Sequence, residues 1–208
     1  MMPLLPLLLL QLLICCLSFR TYGQPWRQGL FLLLFLQSSA TLTTLLFPHH
    51  PLHHQLQQLL PLLWLTIHTQ LLLSALAHPL IRSFARFCQL FFSIAAIAGS
   101  IYPPFTALIR ENSIWLLAVP AIGALLSSCY LYEYIRQLPP FPPPFFWVAA
   151  GLFQYYLTLF VWQGGMGVAG YSDSWLYGLM EHIVSMVLNL FFVAAVLLSR
   201  PRSKVRLC

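Results

Sequence analysis

Long apolar runs separated by short polar turns dominate the chain, covering approximately residues 2–19, 30–47, 56–77, 84–108, 114–135, 145–162 and 175–198. Each run is about 18 to 25 residues, which at 1.5 Å per helical residue gives roughly 27 to 38 Å, enough to cross bilayer hydrocarbon with some tilt. The turns between them carry helix-breaking residues: Pro48 and Pro51, Pro79, the run from Pro139 to Pro144, and Gly164, Gly165, Gly167 and Gly170. Connections this short set consecutive helices side by side and antiparallel. The pattern predicts an all-α integral membrane protein, a seven-transmembrane-helix bundle forming one domain over 1–199, with a short basic tail at 200–208. The glycine run reads as a flexible loop.

Composition points the same way. Of 208 residues, 60% are hydrophobic and 7% are charged, against about 25% charged in ordinary soluble domains. A chain of this size has too little interior to bury nearly all of its segments from water. Lipid is the expected surrounding solvent, in a plasma (cytoplasmic) membrane. The net charge of +6 is thinly spread and forms no dense stripe, so nucleic acid is not an expected partner, and the basic residues read as topology signals and anionic-lipid contacts.

Those residues also orient the segments. With the tail in the cytoplasm, Arg20, Arg27, Arg82, Arg86, Arg136, Arg200, Arg202, Lys204 and Arg206 gather inside, and of the ten basic residues only Arg110, beside Glu111, falls outside. Seven crossings then put the N-terminus outside. The first segment has no positive leading region and no good small-x-small site before Arg20-Thr21-Tyr22-Gly23, so it is expected to stay as a helix rather than be cleaved as a signal peptide. Cys15, Cys16, Cys88 and Cys129 lie in or beside membrane segments and Cys208 ends the chain, which leaves no external pair for a disulfide.

Polar residues recur within the runs at helical spacing. The third segment carries Thr66, Gln70, Ser74 and His78, and the seventh carries Glu181, Ser185 and Asn189 with Gly178 and His182 alongside. Gln37, Thr41 and Thr44, then Arg86, Gln89, Ser93 and Ser100, then Gln154 and Thr158, mark the second, fourth and sixth. Lipid tolerates such groups poorly, so these ridges are expected to turn inward, Gln70 and Glu181 with them. Ser and Thr can satisfy themselves on their own backbone, but Gln, Asn and Glu need partners or water.

Two acids stand out. Glu133 precedes Arg136 by three residues, about 4.5 Å along a helix, and predicts an interfacial salt bridge within a belt of Tyr130, Tyr132 and Tyr134. Glu181 lies roughly 9 Å into the last segment with no basic residue of that segment nearby. It serves either as a buried hydrogen-bonding group or as a ligand, proton or ion site, with His182, Asn189, Gln70, His68 and Gln154 as the other candidates. His68 sits near mid-membrane, and a satisfied structural histidine is its plainer role.

Between the second and third segments, His49, His50, His53 and His54 flank Pro51. If the segment turns helically, His49 with His53 and His50 with His54 fall at i and i+4, a spacing that can present two imidazoles to zinc or copper. No Cys or acid adjoins them, so the metal signal is weak, and titration near neutral pH is an equal alternative. No His-Glu-x-x-His, Gly-x-Ser-x-Gly or phosphate-loop pattern is present. No membrane segment holds a lysine for a Schiff base, and no cofactor is expected. The leading functional expectation is a sensor or signalling and assembly subunit that binds a lipid, small ligand or membrane partner and passes a shift to a cytoplasmic partner. A proton- or ion-coupled carrier built on Glu181 is the first alternative, although seven segments do not divide into equal inverted halves. An intramembrane lipid-modifying enzyme using His68, His182 and Glu181 is the second.

Overall fold

The computed structural model describes residues 9, 11–12, 25–46, 51–101, 113–137, 143–169 and 174–198. These form six α-helices and no strand: α1 (Pro25–Leu46), α2 (Pro51–Leu73), α3 (Pro79–Ile101), α4 (Ser113–Gln137), α5 (Pro144–Ala169) and α6 (Ser174–Leu198). They correspond to the second to seventh predicted segments. Of the first segment only Leu9, Gln11 and Leu12 are described; they are helical, and Thr41 Oγ1 of α1 donates to the buried Gln11 Oε1 at 3.4 Å. Its remainder lies outside the described residues.

Four helices open on proline and two on serine. Proline costs nothing in a first turn, where the amide has no intrahelical acceptor and the fixed φ already suits a helix, while serine favours helix starts by capping. The same residue type therefore closes one element and opens the next. Between α2 and α3, Ala75 N and Leu76 N both donate to the Leu72 carbonyl at 2.9 Å, and Arg82 N then donates to His78 O at 3.0 Å. Pro79 forces His78 out of the helical region and separates the two helices sharply.

The glycine run behaves differently from its predicted loop: α5 continues through Gly164, Gly165 and Gly167 to Ala169. Glycine weakens a helix by about 1 kcal/mol relative to alanine but retains its amide and carbonyl, so an apolar segment such as this one can carry several. A Cβ at Gly164 would make ordinary contact with Leu117, and one at Gly165 would meet nothing.

The helices pack as two sets of three, with α2 central among α1–α3 and α5 central among α4–α6. Consecutive helices supply most contacts, and the sets meet chiefly where α2 lies along α4. Leu30, Leu34, Leu65, Leu72, Leu76 and Phe92 are sealed in the first set, and Leu126, Leu152, Leu188 and Phe192 in the second. Glycines permit the close approaches. Gly29 faces the Leu71 side chain, and a Cβ at Gly151 would lie 2.7 Å from Phe191 Cβ. Packing through small residues is how apolar helices approach when their surroundings are also apolar.

Among the described residues one face of α3 is left exposed. Leu80, Phe84, Phe87, Leu90, Phe91, Ile94 and Ile97 recur every three or four residues and are all exposed, Leu80 at 74% and Phe87 at 66%. By length and composition one helix among the described residues is long and apolar enough to cross a membrane, the 22 residues Pro144–Gly165 of α5. Among the described residues shorter apolar stretches run over Gln28–Ser39, Leu62–Leu73 and His182–Leu198.

Candidate functional site

Where the two sets meet, His68 of α2 and Tyr156 of α5 share a hydrogen bond between the imidazole Nδ1 and the phenol oxygen. Both side chains are closed off from solvent, at 1% and 3% exposure. The rings meet edge to face with centroids 5.2 Å apart. One turn earlier on α2, Trp64 stands edge-on to His68 at 5.9 Å and contacts Tyr155 at 5.8 Å. These four aromatic groups span from α2 to α5, two helices whose backbones stay further apart than either does from α4.

Gly123 of α4 supplies the room. A Cβ there would fall 2.5 to 2.6 Å from three carbons of the Tyr156 ring. One turn on, the buried Ser127 hydroxyl donates to the Gly123 carbonyl at 2.9 Å and so spends its polarity on its own helix. The histidine is only half satisfied. Whichever way the proton lies on the shared bond, His68 Nε2 finds no partner among the described residues, and neither does Trp64 Nε1 beside it. Buried polar atoms of this kind ordinarily have a partner. The seam thus holds a ring nitrogen and an indole N–H without a partner among the described residues, beside a Tyr–His pair joined by a hydrogen bond.

About two turns further along α4, Glu133 grips the α2–α3 connection. Ala77 N donates to its Oε2 at 2.7 Å and His78 N to its Oε1 at 3.1 Å. A carboxylate at the amides leading into a helix N-terminus satisfies donors that have no intrahelical acceptor and complements the positive end of the helix dipole. The predicted partner Arg136 is exposed and forms no ion pair among the described residues. The amides win because they have no other acceptor, whereas an exposed guanidinium keeps its water. Arg82 Nε adds a second tie, donating to the Leu76 carbonyl of the same turn at 3.1 Å.

The α2 polar ridge does not face the interior. Gln70, Ser74 and His78 are exposed and Thr66 is half-buried, while His68, Thr69, Leu65, Leu72 and Leu76 take the inner face. Three of the four are satisfied where they stand: Thr66 on the Leu62 carbonyl at 2.9 Å, Ser74 on Leu71 at 2.7 Å, and Gln70 through its Oε1, which accepts Gln89 Nε2 of α3 at 2.6 Å. Gln70, Ser74, Arg86 and Gln89, with Leu73 and Leu90, line an open groove of about 440 Å³ between α2 and α3.

On α6 the ridge does turn inward at Ser185 and Asn189, which are 6% and 0% exposed. Asn189 Nδ2 donates to the Ser185 carbonyl at 2.8 Å, and its Oδ1 has no partner among the described residues. His182 is half-buried. Gln154 is half-buried on α5, where its Nε2 lies 3.4 Å from Thr158 Oγ1. A second open groove of about 430 Å³ runs between α5 and α6 past Val161, Trp162 and Met180. Glu181 follows Met180 within α6, but its side chain lies outside the described residues, as do those of His53 and His54 in α2; His49 and His50 lie outside entirely. Among the described residues no group of three or more His, Cys, Asp or Glu could hold a metal ion.

Tyr156, Trp64 and Gly123 were absent from the sequence-derived site. The available signal was a phenol in the middle of an apolar helix, which must find a partner for its hydroxyl. No family model matches the sequence, and neither the curated proteins nor the solved structures contain a match to it.

Proposed function

We propose that the protein is a small multi-pass membrane protein, a seven-helix bundle with its N-terminus outside and its tail in the cytoplasm, acting as a sensor or assembly subunit. The uncovered face of α3 carries this proposal. Seven large apolar side chains along one helix exceed what a water-soluble monomer ordinarily exposes in one patch, and lipid or a partner helix is the natural cover. The Glu133 clasp supports a path for a signal, since it ties α4 to the turn that sets how α2 enters α3. The test is recovery from native membranes. The protein is expected in the alkaline-washed membrane pellet and to co-purify reproducibly with a membrane partner after mild solubilisation. Release into the wash argues against membrane residence, and repeated recovery of the protein alone argues against an assembly role.

A proton-coupled carrier is favoured by one observation. The six described helices group as three and three, and consecutive antiparallel helices give such halves opposite orientation, the plan of many carriers. The His68–Tyr156 pair would then stand at the seam. Proteoliposome flux that survives both His68→Phe and Glu181→Gln unchanged would rule these residues out of a transport path.

A further inference from the structure

We infer that the α2–α3 groove is a binding site for the phosphate headgroup of an anionic glycerophospholipid, with Arg86 as its principal contact. The inference rests on the membrane location proposed above. Arg86 is exposed at the groove and makes no hydrogen bond or ion pair among the described residues. A guanidinium offers five donors in a planar fork suited to two phosphate oxygens at once. The neighbouring Gln70–Gln89 pair uses one amide hydrogen and one carbonyl. Whichever way the two amides are oriented, one NH₂ group remains free to face a ligand.

Depth and charge select the ligand. Arg86 lies about 10 Å along α3 from its first residue, so a long flexible side chain there reaches the headgroup layer while its stem stays among apolar groups. Leu73 and Leu90 form the apolar walls, and Leu90 continues into the exposed stripe of Phe87, Phe91 and Ile94, a track for an acyl chain. No carboxylate among the described residues lines the groove, and the described acid on α4, Glu133, is occupied by two amides. A choline or ethanolamine headgroup would bring a cation toward Arg86 with nothing to receive it. An anionic headgroup would not.

The experiment uses the full chain purified in a neutral detergent. Thermal unfolding and binding are followed on adding phosphatidylglycerol, phosphatidylcholine or inorganic phosphate. Phosphatidylglycerol is expected to raise the melting temperature and to bind about tenfold more weakly to Arg86→Gln, the loss ordinarily seen when a charge-assisted contact is removed. Arg136→Gln, which alters an exposed arginine away from the groove, is expected to bind as the wild type does. Because Arg86 is exposed, the variant should melt like the wild type in lipid-free detergent. Equal stabilisation by phosphatidylcholine, or equal losses in both arginine variants, overturns the site. Stabilisation by inorganic phosphate matching that by phosphatidylglycerol assigns the groove to a soluble anion and overturns the lipid. Failure of the membrane location is a separate result, recovery of the protein from cells without detergent.

Discussion

Tyr156 can lie against α4 because position 123 has no side chain. The obstruction that Gly123→Ala would introduce is the ring itself, held at its far end by the His68 bond, rather than the tip of a flexible chain. Overpacking of this kind costs about 1 to 3 kcal/mol, and reversible thermal unfolding in detergent should show a clear fall in melting temperature. Gly165→Ala, with open space around the new methyl group, is the control and should be neutral or slightly stabilising. Tyr156→Phe leaves the imidazole with no partner for either nitrogen, and a buried unsatisfied group costs roughly 1 to 3 kcal/mol. His68→Phe should cost a similar amount, and the double variant should cost less than the sum of the two. Strict additivity would mean that the hydrogen bond contributes no coupling. At this scale the sequence disclosed the need and not its answer. A histidine in the middle of an apolar run must find something, but a partner 88 residues away cannot be read from local spacing.

Helix existence was legible at the scale of single elements, because apolar length and proline placement are local properties. The six described helices begin within about five residues of the predicted starts, the earlier onsets falling on Pro25, Pro51 and Pro79. Facing was less legible. The four-residue ridge of α2 is present, but packing of Leu65, Leu72 and Leu76 decides the inner face and turns Gln70 toward α3. Glu133 shows the same limit, since spacing offered Arg136 and the fold offered two amides. For this clasp, Glu133→Ala should destabilise by about 1 kcal/mol, the ordinary worth of a helix cap. Glu133→Gln should lose less, because a carboxamide oxygen can still accept one of the two amides. Amide hydrogen exchange at Ala77 and His78 should quicken in both variants. Unchanged exchange there would count against the clasp.

The arrangement of the whole molecule makes its orientation testable. Arg136 lies near the end of α4 and Gly165 toward the end of α5, and the two helices run antiparallel. In a cysteine-free background, Gly165→Cys should react with an impermeant maleimide on intact cells, and Arg136→Cys only after permeabilisation. Labelling of both from one side would defeat the proposed crossing of α5. Charge counting predicted this orientation from the loops alone, whereas the grouping of helices as three and three depends on side-chain complementarity that no periodicity records.

That grouping has a consequence for how the chain is made. When α1, α2 and α3 leave the ribosome, the surface that will receive α4 and α5 is bare, and His68 stands on it. Tyr156 follows 88 residues later, a wait of about 4 to 18 s at ordinary synthesis rates. For that interval the nascent protein displays an unanswered imidazole beside an indole on an otherwise greasy flank. A stalled or truncated product would keep displaying it, and so would carry a mark of incompleteness that a quality-control factor could recognise and the finished molecule has folded away.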